Sequence, residues 1–571
     1  MTFVPAVREQ RFVLETIADL PGLAASERFA EATQDLVDAV LDGAGQFAQG
    51  VWAPIAREGD VTGPKWTERG VTMPPGYGAA YRAYVDGGWG TLGAPTGFGG
   101  QGLPYVLASA VLETLGTANM AFALAPMLTC GTIEALLHHG TPEQQAAYLP
   151  HLSTGAWTGT MNLTEPQAGS DVGALRTRAE PLGNGKWRIK GTKIFISFGD
   201  HDMAENIIHL VLARTPGAPE GTRGISLFLV PKFRLDENGA PGTPNDVRTV
   251  SIEHKLGLHA SPTCVLSFGD EDDCIGELIG PEHGGMRAMF TMMNNARLNV
   301  GLQGVQVAEA ATQKAVAYAS DRIQSARAGR MDKTPVAIIE HPDVRRMLLR
   351  MKAQTQAARA LVYYAAAMVD AATLGDLTAK ARLELLTPLV KAHATDLGNE
   401  VASLGVQVHG GMGFIEETGA AQHFRDARIT PIYEGTNGIQ AADLVGRKLG
   451  LSDGEPFAAL LAEMKQDAGD GALRDLIDAC EDIGTRLCRA SADDRLAASY
   501  PFLTMLSVAV CGWLMSRQMR LAADGDAFGR MKRAACAFYL SQIVPEAIGL
   551  RAAATAPASE LYTIQAEEFA A

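Results

Sequence analysis

A chain of 571 residues, 47% hydrophobic and 20% charged, is long enough for several domains with large cores. A formal net charge of −15 disfavours nucleic acid and anionic membrane surfaces as partners. Seven scattered cysteines with no Cys-x-x-Cys pair argue against a disulfide frame or a zinc site, and for reduced thiols in the cytoplasm.

The first ten residues include Arg8 and Glu9 and no apolar run of the signal-peptide kind. Residues 1–158 read as an N-terminal helical domain. Val37, Val40, Leu41, Phe47 and Val51 recur at helical spacing. A Gly/Pro/aromatic stretch from Gly63 to Gly102 predicts loops and short helices. Apolar helices follow over Val106–Leu115 and Met120–His138. Thr141-Pro142-Glu143 is a helix start, with Thr as cap and Pro first. The pattern then changes to strands, giving a central, barrel-like β domain over 159–284. Strands are predicted over Trp187–Ser197, Ile207–Ala213, Gly224–Val230, Val247–Glu253 and Thr263–Phe268, with Asn184-Gly185 as a hairpin turn. Residues 285–450 return to long helices (Met286–Ser320, Pro342–Thr373, Thr378–Val408) and read as a four-helix-bundle domain. Residues 451–571 form a further helical module with 11 Lys+Arg against 17 Asp+Glu, so it is no grip for nucleic acid. Its run Pro501–Met515, the most apolar in the chain, reads as too short to span a bilayer and better as a buried helix. The fold class is therefore α+β.

Four segments carry the chemistry. Met161-Asn-Leu-Thr-Glu-Pro-Gln-Ala-Gly-Ser-Asp171 is a loop of hydroxyls and small residues, able to present backbone amides to a planar ring and a phosphate. In Lys190-Gly-Thr-Lys-Ile-Phe-Ile-Ser197, strand alternation sets Phe195 and Ser197 on one face and Ile194 and Ile196 on the other. Asn294-Asn-Ala-Arg-Leu-Asn-Val-Gly301 puts Arg297 on a long helix. Pro431-Ile-Tyr-Glu-Gly-Thr-Asn-Gly-Ile-Gln440 sets one carboxylate, Glu434, behind an apolar approach, with Asn437 and Gln440 as a capping box for the next helix. Shielding raises such a carboxylate's pKa and makes it a usable base. By itself the segment also reads as an acid in an ordinary loop. No Gly-x-Gly-x-x-Gly, P-loop, Gly-x-Ser-x-Gly or His-Glu-x-x-His motif occurs.

In this order the four segments resemble the acyl-CoA dehydrogenase family of flavoproteins, over residues of about 35 to 450. The tail resembles the longer branch of that family, which includes 3-(methylthio)propanoyl-CoA dehydrogenases. The resemblance implies FAD as cofactor and no metal. It implies that Glu434 removes the pro-R α-proton of an acyl-CoA thioester while the β-hydrogen leaves as hydride to flavin N5, giving a trans-2-enoyl-CoA. The acyl group would be 3-(methylthio)propanoyl or a medium or long chain. Leu163, Thr164, Ser170, Phe195, Ser197, Arg322, Gln407, Gly411 and Thr436 match FAD positions, Gln407 and Gly411 at the adenine half across a dimer interface. Ser170, Arg297, Tyr433 and Gly435 match the substrate side. One branch carries its base just before the helix arginine; here that residue is Ala296, which leaves Glu434. The family's Arg-x-x-Phe segment appears as Arg322-Ile-Gln-Ser325, without the Phe, and His409 stands where an aromatic is common and reads as structural. The implied partners are an electron-transfer flavoprotein and a second copy of the chain, with a dimer favoured. The rival readings are an acyl-CoA oxidase that uses O2, and a catalytically idle relative that binds acyl-CoA or DNA.

Overall fold

The computed structural model describes residues 3–571. Helices of seven or more residues and the strands of the main sheet are labelled here in chain order. The chain runs through α1 (Val7–Thr16), α2 (Gln34–Phe47), α3 (Ala53–Thr62), α4 (Tyr77–Asp86), α5 (Tyr105–Ala118), α6 (Met120–His139) and α7 (Pro142–Thr154). The sheet follows as β1 (Trp157–Asn162), β2 (Arg178–Gly183), β3 (Lys186–Ser197), β4 (Asn206–Arg214), β5 (Ile225–Pro231), β6 (Val247–Ile252), β7 (Thr263–Phe268) and β8 (Ile275–Ile279). Then come α8 (Gly285–Asp321), α9 (Pro342–Thr373), α10 (Leu377–His409), α11 (Ala420–Ala427), α12 (Asn437–Asp443), α13 (Glu455–Ala468), α14 (Ala472–Arg489), α15 (Ser499–Leu521) and α16 (Ala527–Phe538). Contacts group the chain into two compact units. One holds residues 43–104 and 114–296. The other holds the chain up to 42, residues 105–113 and residues 297–571.

The first unit is built on an eight-stranded sheet of order β6-β7-β3-β8-β5-β4-β1, with β2 against β3 and β4. β1 runs parallel to β4, while β4–β5, β5–β8 and β3–β7 are antiparallel. Asn184 and Gly185 both have positive φ, as a tight two-residue hairpin requires. Ile189, Ile196, Val211, Phe228, Val230, Leu266 and Phe268 pack into one apolar cluster. β1 corrects the sequence reading, which began the strands after it. Thr158, Thr160 and Asn162 give it a polar, loop-like look, yet every residue in it is buried. Two of these hydroxyls find buried partners in His201 (2.9 Å) and His209 (2.8 Å). A small hairpin, Lys65–Thr67 with Gly70–Thr72, replaces part of what reads as loop and short helix.

The second unit is helical. α9 and α10, joined through Leu374-Gly375-Asp376, lie along each other, and Asp376 caps α10 by accepting from the Thr378 and Ala379 N–H groups. α8 meets α10 at very close range. A Cβ on Gly304 would stand 2.1 Å from the Ala394 oxygen, and one on Gly301 2.5 Å from Val390 Cγ1. Only glycine permits that approach, and it brings Arg297 of α8 near Lys391 of α10. The tail belongs to this unit. Phe502, Leu506, Trp513 and Leu514 of α15 are buried.

Among the described residues, two helices, α6 and α15, are long and apolar enough to cross a membrane. The run 501–515 belongs to a 23-residue helix, longer than the run alone, and it is the buried helix the sequence reading expects. Both are mostly buried within the protein, 83% of the most apolar stretch of α6 and 78% of that of α15.

Candidate active site

In the sheet-bearing unit, the loop after β1 and the strand β3 are held together by one buried ion pair. Lys193 Nζ donates to Glu165 Oε1 (2.8 Å) and to the Leu163 carbonyl (3.0 Å), and both charged groups are out of solvent. Glu165 also accepts from the Arg176 and Thr177 N–H groups and from Thr177 Oγ1. Burial pushes its carboxyl up, but Lys193 and these donors outweigh it and hold it down at about 2. Burial takes Lys193 down to about 8 against the pull of Glu165. With a carboxylate and a carbonyl as acceptors, we read it as an ammonium at neutral pH.

This anchor sets out the residues expected to meet a cofactor. Ile194 N–H donates to the Thr164 carbonyl at 2.9 Å, so the two motifs are one site. Strand alternation fails just here. The register between β3 and β7 slips opposite Val265, and Phe195 takes φ +61. Lys193 and Ile196 therefore face the core, and Ile194 does not share the face of Ile196 as alternation predicts. The result is a Phe195 ring 59% exposed, with half-buried Thr164 and Ser197. An aromatic held in the left-handed region and turned outward is a costly arrangement that packing alone does not demand. Gly169 leaves open space in the loop. These features suit a flat ring and its polar edge.

In the helical unit, Glu434 lies on a turn with φ +56, followed by Gly435 at φ +82. A Cβ on Gly435 would stand 2.8 Å from Gln440 Nε2, which donates to the Glu434 and Gly435 carbonyls (both 3.4 Å). The cap of α12 is Thr436, whose Oγ1 accepts from the Ile439 N–H at 3.2 Å. This corrects the sequence reading of Asn437 as cap. Asn437 is instead buried and bonded to α10, and Gln440 bonds the turn rather than closing a capping box. Tyr433 Oη donates to Gln303 Oε1. Burial pushes the Glu434 carboxyl up, while Arg297 and then Lys391 pull it back. Burial drives Lys391 down to about 7 against the pull of Glu434 and Asp396. Arg297 is buried, its Nε has no hydrogen-bond partner, and the charges of Asp443 and then Glu434 favour its ionised form.

The structure thus brings together Leu163, Thr164, Phe195 and Ser197 in one unit, and Arg297, Tyr433, Glu434, Gly435 and Thr436 in the other. Ser170, Arg322, Gln407 and Gly411 are exposed. Glycine at 410 is required by φ +60. His409 is structural as read: its ring stacks on Tyr318 at 4.4 Å and its Nδ1 bonds the Gly405 carbonyl. The sequence reading passed over Lys193, Lys391 and Gln303. Lys391 had a usable signal, since a lysine inside an apolar helical run must have a partner, whereas Lys193 turns to the core only through the register slip.

Comparison with known proteins decides the family. Models of the acyl-CoA dehydrogenase N-terminal, middle and C-terminal domains match residues 35–156, 160–270 and 283–449. The chain belongs to the acyl-CoA dehydrogenase family. A fourth model, an acetyl-CoA dehydrogenase C-terminal-like domain, matches residues 454–565 of the tail. A 3-methylmercaptopropionyl-CoA dehydrogenase of Ruegeria pomeroyi is 46% identical over 96% of this chain and 97% of its own. A butyryl-CoA dehydrogenase of Syntrophomonas wolfei is 37% identical, covering 90% of each. Among solved structures, an acyl-CoA dehydrogenase from Bacillus anthracis complexed with FAD shares the fold with a TM-score of 0.74, at 20% identity over 95% of this chain and 91% of that one. This acyl-CoA dehydrogenase is a flavin-dependent oxidoreductase with FAD as its cofactor, and the outward Phe195 with its neighbouring hydroxyls fits that group.

Proposed function

We propose that the enzyme oxidises the Cα–Cβ bond of an acyl-CoA thioester to the trans-2-enoyl-CoA, with Glu434 as the base that takes the pro-R α-proton. The observation that carries this is the placing of Glu434: a carboxylate on a strained turn, raised by burial, with Arg297 and Lys391 as its cationic neighbours. An α-proton is weakly acidic, so the base must be deprotonated yet strong, and charge growing on the thioester oxygen must meet a fixed donor. Among the described residues, the Glu434 N–H donates to no group of the protein, which leaves it available for that oxygen. Gln440 holds the turn that aims it. Bound FAD supplies the acceptor for the β-hydride. Leu163, Thr164, Phe195 and Ser197 would hold its ring system, with Ser170, Arg322, Gln407, Gly411 and Thr436 at its remaining parts.

The reading extends to a substrate of the kind named for the Ruegeria relative, 3-methylmercaptopropionyl-CoA. It takes an electron-transfer flavoprotein as electron acceptor and a cytoplasmic homodimer as the working form. The test is an anaerobic titration of the yellow protein with a panel of acyl-CoAs. 3-Methylmercaptopropionyl-CoA should bleach the flavin band most efficiently, and Glu434→Gln should bind it without bleaching. Near-normal flavin reduction by Glu434→Gln would remove the base assignment; efficient bleaching by long chains alone would remove the substrate.

A further inference from the structure

A hydrogen-bonded series of side chains runs from the C-terminal module to Lys391, whose charge acts on the base. Tyr500, in the first turn of α15, donates to Asp396 Oδ2 at 2.7 Å. Asp396 Oδ1 accepts from Asn437 Nδ2 at 2.8 Å. Asn437 Oδ1 accepts from Lys391 Nζ, also at 2.8 Å. Thr395 Oγ1 and the Ala392 carbonyl fix the other side of the Asn437 amide at 3.0 Å each. Asn437 and Lys391 are buried, so neither can exchange these partners for water. Lys391 then acts by its charge on Glu434.

We propose that Tyr500, Asp396, Asn437 and Lys391 are positioning residues through which the C-terminal module sets the ionisation of the catalytic base. The proposal rests on Glu434 being that base. Its logic is a chain of signs. The Tyr500 hydroxyl favours ionised Asp396. Ionised Asp396 favours the Lys391 ammonium, and the ammonium favours ionised Glu434. Other charged groups act on the same set. Arg297 of α8 acts on Glu434 and itself feels the charges of Asp443 and Arg447. Arg428 faces Asp396 and Tyr500. Tyr433 is the remaining titratable group that senses Glu434. A merely structural role for the series, gluing α15 to α10 and α12, would cost stability and leave the ionisation of Glu434 where it is.

The test is the pH dependence of anaerobic flavin reduction by a saturating acyl-CoA, in holoenzyme of the full chain. Tyr500→Phe should move the acidic limb of the rate profile up by roughly half a pH unit, and Lys391→Met by about one unit or more, both with normal flavin content. Lys391→Arg, which keeps the charge, should sit near wild type. If Lys391→Met does not fold, Asp396→Asn takes its place beside Tyr500→Phe. The proposal is overturned if the folded, flavin-loaded variants keep the wild-type limb. Glu434→Gln separates the two readings. If it still reduces flavin, the base assignment fails; if it is inert while the limbs of the others stay put, only the relay fails.

Discussion

Glu165 and Lys193 show how much one buried pair decides. Truncating one partner leaves the other as an uncompensated charge, so Lys193→Met should destabilise the sheet-bearing unit by about 3–5 kcal/mol. It should also release flavin, because the Leu163 carbonyl loses its donor at the same stroke. The effect has a pH signature. The folded Glu165 carboxyl titrates near 2, below its ordinary value, so its contribution is present at neutral pH. It is lost only as the pH falls from about 4.5 through 2. Thermal unfolding of wild type and variant across that range checks both claims. Phe195 makes the opposite case. Its ring is largely in solvent and its φ is positive, so little stability depends on it. Phe195→Ala should shift Tm by no more than a degree or two while weakening flavin retention severalfold, read by ultrafiltration and absorbance. A comparable loss of Tm would show that the ring is there for packing.

The helices were largely legible because their signals are local. Apolar spacing and the Thr141-Pro142 start placed α6, the beginning of α7, and α8 to α10 to within a few residues. What could not be read depends on partners distant in sequence. The slip at Phe195 needs the register against β7, and β1 has no apolar alternation because its hydroxyls are answered by His201 and His209. Capping at Thr436 rather than Asn437 follows from the pull of α10 on the asparagine. Of the site, the residues within motifs could be named in sequence, whereas Lys391 and Tyr500 stand in none. A further hidden device is Asp370 on α9, whose two carboxylate oxygens accept from the Tyr105 and Val106 N–H groups at the start of α5. Burial pushes its carboxyl up to about 7 despite these donors and Arg28. A carboxyl raised on folding contributes stability that is complete below its unfolded pKa and fades as the pH rises through the folded one. Stability should therefore decline between about pH 4 and pH 7 by this group alone. Asp370→Asn, which keeps an acceptor for the cap, should flatten that part of the profile, and chemical denaturation at a series of pH values measures it.

On the scale of the whole molecule, the tail is part of the helical unit's core and of its charge balance. Arg359 of α9 is fully buried and bonds Glu113 of α5 (2.8 Å) and Glu309 of α8 (2.9 Å). Glu9 of α1 lies 3.7 Å from the same guanidinium and also accepts from Lys532 of α16, itself fully buried and bonded to Gln518 of α15 at 2.7 Å. Two buried cations and three acids thus join the first helix, the central helices and the module after residue 450. Removing residues 451–571 takes away Lys532 and strips cover from α9, α10 and α12, which pack against α15. Such a fragment still holds all three acyl-CoA dehydrogenase domains, which end at residue 449. It should nevertheless fail to give soluble, flavin-loaded protein, because its surface is made to be buried. Glu9→Gln is the finer probe. It leaves Lys532 in the interior with neutral acceptors only, and should cost about 3–5 kcal/mol in denaturant unfolding. Flavin reduction at saturating acyl-CoA should stay within twofold of wild type, since Glu9 belongs to the joint and not to the Glu434 turn. A soluble, active fragment 1–450 would show that the tail is an appendage, and the buried network would then be a consequence of its attachment rather than a condition of the fold.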